Sequence, residues 1–162
     1  MSDTDLLLTQ LRDPDPQVRA TAAAGLDDLP ASPEIERALV DAARDVDANV
    51  RRHALHSLSC AHCKPDGCLG PAAIEVLADA LLHDPSVRNR RWAAGVTMWG
   101  QAGRGESLVR AYRELMATSD DRLLRERGAA FLASLEVPRG DRSYREWLAD
   151  WRPRYEELLA SA

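Results

Sequence analysis

The residue types best suited to metal or redox chemistry are clustered between positions 53 and 68. Cys60, Cys63 and Cys68 are spaced as Cys-x2-Cys-x4-Cys, and His56 lies one helical turn before the first of them. Thiolate and imidazole groups are ligands that Zn²⁺ takes in tetrahedral protein sites, so these four residues are a candidate zinc site. The chain lacks a second Cys-x2-Cys pair, which leaves a redox disulfide and inert thiols as alternatives.

Arginine side chains are concentrated on the segments that follow a repeated aspartate-rich motif. A guanidinium group binds a carboxylate or a phosphate through parallel hydrogen bonds, so a row of arginines predicts a surface for acidic partners. Three of them, Arg52, Arg88 and Arg91, have no obvious aspartate partner in the motif, and we predict that they form the binding surface. The full set is Arg19, Arg51, Arg52, Arg88, Arg90, Arg91, Arg122, Arg125 and Arg127.

A stripe of aromatic residues lies near the end of the sequence. Tyr144, Trp147, Trp151 and Tyr155 follow one another at intervals of three, four and four residues, the spacing of one helical face. The terminal helix of a repeat array covers an apolar face that would otherwise meet water, so we predict that Trp147 and Trp151 cap the array. Stacking on bases or on a peptide is the alternative function of this stripe.

No catalytic signature accompanies these groups. The sequence contains no Gly-rich phosphate-binding loop between a strand and a helix, no Gly-x-Ser-x-Gly segment and no His-Glu-x-x-His segment. The carboxylates lie at predicted helix starts and on exposed faces, where acidic residues are common. We therefore expect that the chain is not an enzyme.

The elements that must position these side chains repeat along the chain. Residues 13–19 have the sequence Asp-Pro-Asp-Pro-Gln-Val-Arg, and residues 45–51 repeat it as Asp-Val-Asp-Ala-Asn-Val-Arg. Weaker copies begin near Asp84 and Ser119. A recurring unit of this length indicates stacked helical hairpins, whose second helices commonly line the concave surface.

Capping residues, prolines and helical periodicity predict nine helices and no strand. Ser143 and Glu146 form the pattern of a capping box at the start of the last helix. Pro153 removes a backbone donor from that helix, and we expect it to kink or split the helix. The predicted helices span residues 3–12, 15–27, 33–44, 47–59, 71–82, 85–99, 106–117 and 121–135, and the last one begins at Ser143.

The two motif copies resemble HEAT repeats, in particular the bacterial subgroup with phycobilisome-lyase-like repeats. This resemblance implies an all-α fold, a right-handed α-solenoid of about four helical hairpins with a C-terminal aromatic capping helix. It also implies a structural ladder of hydrogen bonds between neighbouring units. The ladder members that it implies are Asp13 with Arg19 and Asp45 with Arg51.

The third and fourth units depart from the family pattern. Aligning Asp84 with the first aspartate of the motif keeps Arg90 in the arginine position and leaves Asn89 where valine belongs. The alternative alignment would place an unpaired arginine, Arg91, in the helix seam, which costs more than one asparagine near the edge. We therefore prefer the first alignment. The fourth copy has Ser119 in the aspartate position, so its ladder is expected to be incomplete.

The 162 residues carry a net charge of −5, which is spread unevenly. Residues 1–47 hold eleven acidic and four basic side chains, whereas residues 48–162 hold fifteen and seventeen. An acidic chain is poorly suited to nucleic acid, whose binding depends on neutralising phosphates, so nucleic acid is not an expected partner. No segment approaches the roughly 18 consecutive apolar residues of a membrane span. The acidic N-terminus lacks the basic region of a signal peptide, and we expect a cytoplasmic location.

The predicted organisation is a repeat array over residues 1–138, with residues 139–162 forming a helix that packs on the last repeat of a single domain. The predicted function is a non-catalytic scaffold that binds a protein or peptide on its concave face. The alternatives are a metal- or redox-responsive protein acting through the cysteine loop, a HEAT-like DNA glycosylase and a bilin lyase. No cofactor is expected apart from the candidate zinc ion.

Overall fold

Nine helices follow one another in the part of the chain that the computed structural model describes, and that part contains no strand. It comprises residues 2–59, 70–99 and 105–161, without the side chains of residues 98 and 99. The all-helical fold predicted from the sequence is thus confirmed. A 3₁₀ turn, Leu26–Asp28, follows the second helix. The helices are α1 (Asp3–Gln10), α2 (Pro16–Gly25), α3 (Pro33–Ala42), α4 (Ala48–Ser59), α5 (Pro71–His83), α6 (Val87–Trp99), α7 (Glu106–Thr118), α8 (Arg122–Glu136) and α9 (Tyr144–Ala160).

Several helices begin directly after a residue whose side chain caps them. The Asp15 carboxylate accepts a hydrogen bond from the Gln17 backbone N–H at the start of α2, and Pro16 occupies a position where no backbone donor is needed. Ser32 caps α3 in the same way, and Asp121 caps α8. The helix boundaries therefore follow from local chemistry that the sequence already contains.

The helices pair into hairpins and the hairpins stack. α1 packs against α2, α3 against α4, α5 against α6, and α7 against α8. The second helices also contact one another in the order α2, α4, α6 and α8, while α3, α5 and α7 form the other layer. α9 packs against α8 at the end of the stack. This two-layer arrangement of four hairpins is an α-solenoid.

Small residues occupy the same position in each second helix. Ala22, Ala54 and Ala93 have no exposed surface, and each lies four residues after the valine position of its unit. The fourth unit has Gly128 at this position, where an added Cβ would lie 2.7 Å from Sδ of Met116. Small side chains here let neighbouring helices approach closely, which explains why the core relies on alanine.

The sequence predicts a capping box at the start of the last helix and a kink or a split within it. Ser143 and Glu146 form the predicted capping box. Pro153 lies inside α9, which continues across it, so the helix is kinked at most and not split, and the kink stays a prediction. Pro153 is exposed, and water can therefore satisfy the carbonyl that loses its backbone donor. Among the described helices, none is long and apolar enough to cross a membrane.

Candidate functional site

The first rung of the ladder joins two neighbouring units. Arg19 donates from Nε and Nη2 to the two carboxylate oxygens of Asp45, at 2.7 and 2.9 Å. Its Nη1 donates to the backbone carbonyl of Asp13 at 2.9 Å. The hydrogen bond from Arg19 holds the pKa of Asp45 below its ordinary value, against the opposing effect of burial. The ladder therefore joins neighbouring units, as the resemblance implied, since Arg19 contacts the Asp13 backbone of its own unit and the Asp45 side chain of the next.

The second rung has the same form and is more deeply buried. Arg51 donates to the Asp84 carboxylate at 2.8 and 3.0 Å and to the backbone carbonyl of Asp45 at 2.8 Å. The exposed fractions of the two side chains are 10% for Arg51 and 2% for Asp84. Burial disfavours the charge on Asp84, but hydrogen bonds from Arg51, the Ser86 backbone and Asn89 leave its pKa lowered. The partner of Arg51 is again the aspartate of the following unit.

The third unit follows the alignment in which Asp84 takes the motif position. Arg90 Nη1 donates to the Asp84 backbone carbonyl at 2.8 Å, as the corresponding arginines do in the first two units. Asn89 is buried in the valine position. Its side-chain amide donates to the Ala48 carbonyl at 2.9 Å and to Asp84 at 3.3 Å. A polar residue is therefore tolerated in this seam because its amide nitrogen has two acceptors.

The junction between the third and fourth units uses a different ion pair. Ser119 makes one of the hydrogen bonds that the motif aspartate makes in the other units. Its hydroxyl accepts a hydrogen bond from the Asp121 backbone N–H at 3.1 Å. Arg91 pairs with the Asp121 carboxylate at 2.7 and 3.0 Å. The motif left Arg91 without a partner, whereas the structure pairs it with Asp121, so the place of Arg91 in the binding surface stays a prediction. The pairing was hidden because Asp121 appears in the sequence as a helix cap.

A groove of about 500 Å³ opens on the layer of second helices. We call it the α4–α6 groove, because most of its lining comes from these two helices. It brings together two of the predicted binding residues, Arg52 and Arg88. The lining consists of Ala24, Asp27, Arg52, His53, His56, Arg88 and Trp92.

The two groove arginines differ from the ladder arginines in their contacts. Within the described residues, neither Arg52 nor Arg88 forms a hydrogen bond or an ion pair. Arg52 lies one helical turn before His56 on α4, and Arg88 lies one turn before Trp92 on α6. The groove is therefore lined by two arginines and by two aromatic rings, those of His56 and Trp92.

The floor of the groove contains an aromatic pair and a buried carboxylate. The rings of His56 and Trp92 are 5.8 Å apart and tilted by 52°. Nε2 of His56 lies 3.4 Å from Oδ2 of Asp27, whose side chain is 9% exposed. His53, Trp92 and Asp27 are functional candidates that the sequence alone does not identify. The four-residue spacings of Arg52 with His56 and of Arg88 with Trp92 were the available signal.

His53 carries the pKa shift that is specific to this groove. Burial lowers its pKa from the ordinary value of 6.5, and the positive charges of Arg52 and His56 lower it further. A lowered folded-state pKa means that the unfolded chain binds a proton more readily, so stability is lost as pH falls below that ordinary value.

We therefore expect the wild-type protein to lose stability between about pH 7.5 and pH 5.5, and a His53→Gln variant to lose less. Urea unfolding at a series of pH values checks this expectation. An identical pH profile for the two proteins would contradict it.

The candidate zinc site is only partly placed. Cys60, Cys63 and Cys68 lie outside the described residues, and His56 is the one proposed ligand within them. Among the described residues, no group of three His, Cys, Asp or Glu side chains could hold a metal ion. Nδ1 of His56 is buried without a hydrogen-bond partner in this part of the chain. The zinc site stays a prediction.

The aromatic stripe of α9 lies against α8. Trp147 Nε1 donates to the Val137 carbonyl at 2.8 Å, and Trp151 Nε1 donates to the Ser134 hydroxyl at 3.0 Å. Trp151 also stacks on Tyr155, with ring centroids 5.0 Å apart and planes at 8°. Both indole N–H groups therefore point back into the array, which favours the capping role of the two tryptophans.

Comparison with known proteins agrees with this architecture. A family model described as HEAT repeats matches residues 4–99, which is more than half of the chain. A crystal structure described as that of an engineered protein has a TM-score of 0.56 and 20% identity, covering 95% of this chain and 70% of that chain. At this identity the likeness concerns the fold alone. No curated protein matches the chain. On the family match, the chain belongs to the HEAT-repeat family.

Proposed function

We propose that the chain is a non-catalytic scaffold that binds an acidic segment of a partner protein in the α4–α6 groove. One observation carries this proposal. Arg52 and Arg88 line a common groove without a partner among the described residues, whereas Arg19, Arg51 and Arg91 all pair with carboxylates. A guanidinium without a carboxylate partner is available to bind one from another molecule.

The stack of hairpins supports this function by fixing the spacing of the two arginines. Arg52 lies on α4 and Arg88 on α6, and these helices pack directly against each other in the layer of second helices. The buried rung between Arg51 and Asp84 joins the same two units. Because the scaffold is already ordered, the partner does not have to supply the energy needed to position the two guanidinium groups.

Charge reversal in the groove tests the proposal. Arg52→Glu/Arg88→Glu is compared with Arg145→Glu/Arg152→Glu, which makes the same charge change at two exposed positions on α9. Partners captured from the native host by the wild-type protein are identified, purified and titrated against all three proteins. We expect the groove variant to bind about 100-fold more weakly and the control variant to bind as the wild type does.

Two results would contradict this function. One is a partner that binds the groove variant and the wild type equally well. The other is an equal loss of affinity in both variants, since that would show an effect of overall charge rather than of the groove. Both variants are first compared with the wild type by circular dichroism and urea unfolding, so that a loss of binding is not a loss of the fold.

A second candidate function is zinc binding through the cysteine loop. The observation that favours it is the Nδ1 atom of His56, which is buried without a described hydrogen-bond partner one turn before Cys60. A bound metal would give this nitrogen a partner. Metal analysis of protein purified without a histidine tag tests the idea, and a zinc content far below one ion per chain would end it.

A further inference from the structure

We infer that the acidic segment bound in the α4–α6 groove carries an aromatic residue, which lies against Trp92 between the two groove arginines. This inference rests on the proposed function and specifies the chemistry of the ligand. It follows from the exposure of Trp92, from the placement of the cations and from the charge along the groove.

Trp92 is an exposed aromatic side chain within a concave site. The residue is 40% exposed. Its ring contact within the described residues is with His56, at 5.8 Å and a tilt of 52°. Part of the indole therefore stays open to the groove. Aromatic rings prefer offset or edge-to-face contact with another ring, so an aromatic ligand residue gains more on this surface than an aliphatic one of equal area.

Both groove arginines line the same groove as Trp92. Arg52 precedes His56 by one turn on α4, and Arg88 precedes Trp92 by one turn on α6. A ring seated against Trp92 would place the neighbouring residues of an extended peptide near these guanidinium groups. Carboxylates on those neighbours would form charge-assisted hydrogen bonds, and the guanidinium groups would also attract the face of the ligand ring.

The carboxylate of Asp27 favours a peptide over a nucleic acid. Asp27 lines the groove beside His56, so the lining contains one carboxylate in addition to the two arginines. A polyphosphate backbone carries a charge at every nucleotide and would meet this carboxylate. A peptide can place its carboxylates at the two arginines and an uncharged residue beside Asp27. The groove volume of about 500 Å³ suits one large side chain with its neighbours.

Calorimetric titration with three five-residue peptides tests the inference. The peptides are Glu-Glu-Phe-Glu-Glu, Glu-Glu-Ala-Glu-Glu and Lys-Lys-Phe-Lys-Lys, each with blocked ends. We expect the wild-type protein to bind the Phe peptide roughly fivefold more tightly than the Ala peptide and not to bind the Lys peptide measurably.

Two variants assign the preference to Trp92. Trp92→Ala and Trp92→Leu should each reduce the preference for Phe over Ala to less than about twofold, while Arg52→Glu/Arg88→Glu should weaken both acidic peptides. Trp92→Leu keeps an apolar side chain, so it guards against a loss of fold in Trp92→Ala. Arg145→Glu/Arg152→Glu again serves as the charge control.

The outcomes separate this inference from the proposed function. Two results contradict the claim that the bound segment carries an aromatic residue and leave the proposed function untouched. They are equal binding of the Phe and Ala peptides by the wild type, and an unchanged preference for Phe in both Trp92 variants. Tighter binding of a short single-stranded DNA than of the Phe peptide overturns the choice of a peptide. Absence of binding to any acidic peptide also overturns the inference. The proposed function is then decided by the titration of the host partner against the wild type and Arg52→Glu/Arg88→Glu.

Discussion

Replacing Arg51 with alanine is expected to lower the free energy of unfolding by about 3 kcal/mol or more, because it leaves the Asp84 carboxylate buried without its counter-ion. Asp84 has a side-chain exposure of 2% and receives two hydrogen bonds from Arg51. Arg51 also donates to the backbone carbonyls of Asp45 and Val46. The variant therefore loses contacts with two successive units, and urea unfolding measures the cost.

Two further variants identify the cause of this loss. In Arg51→Ala/Asp84→Asn the buried charge is absent, and asparagine can still accept the Ser86 backbone N–H that Asp84 now holds. We expect the double variant to be more stable than Arg51→Ala alone. Arg91→Ala removes the ion pair with Asp121 at the next junction, where the arginine side chain is 45% exposed. We expect Arg91→Ala to lower the free energy of unfolding by less than about 1 kcal/mol. Equal costs for Arg51→Ala and Arg91→Ala would contradict the role of burial.

We expect the difference in the free energy of unfolding between the wild type and Arg51→Ala to become smaller as pH falls. In the wild type the pKa of Asp84 is lowered, so the stability that it contributes is present at neutral pH and lost as pH falls through that pKa. Burial is the largest influence on the pKa of Asp84 and raises it, so we expect the carboxyl group to become neutral at a higher pH in the variant than in the wild type. A difference in the free energy of unfolding that does not change with pH would show that the lost stability has a different origin.

The repeat architecture was predictable because its determinants are local. Asp15, Ser32 and Asp121 cap their helices through residues two or three positions away, so the sequence alone locates the helix starts. The alanines of the seams recur at fixed offsets and identify the buried face of each second helix. These signals sufficed for the order of the helices and for the all-helical fold.

Contacts between units were harder to predict, because they depend on how one hairpin lies on the next. The resemblance names Asp13, Arg19, Asp45 and Arg51 as ladder residues, but the motif does not show that the side-chain partner of Arg19 is Asp45, which is 26 residues away. The partner of Arg91 is hidden for the same reason, since Asp121 lies 30 residues further along the chain. Local motifs identify which side chains take part, and the stacking of the units decides which of them meet.

The residues of the α4–α6 groove were likewise only partly predictable from the sequence. Arg52 and Arg88 were selected because no motif aspartate accounts for them, and the structure places both in one groove. Asp27, His53 and Trp92 belong to three different helical segments, and no spacing in the sequence relates them to each other. A site formed across three repeats becomes recognisable only when the stacking of the repeats is known.

Replacing Trp151 with alanine is expected to destabilise the protein by about 3 kcal/mol, because it removes a large ring from the boundary between α8 and α9. Trp151 lies between Trp147 and Tyr155, with ring centroids at 5.4 and 5.0 Å, and its indole N–H donates to Ser134. Tyr155, Leu158 and Leu159 of the same helix pack against the core. Loss of the indole would therefore weaken the docking of the whole of α9, and thermal unfolding should report it as a lower Tm.

A matched pair of variants distinguishes a cap from a recognition surface. Trp151→Phe keeps an aromatic ring but removes the hydrogen bond to Ser134, so it should cost only about 1 kcal/mol. Arg152→Ala, at the neighbouring exposed position of α9, is the control and should change stability little. If Trp151→Ala were as stable as the wild type and failed to bind the partner, the aromatic stripe would be a binding surface. A stable α9 would then not depend on its tryptophans, and the end of the array would be covered chiefly by the leucines that pack against the core.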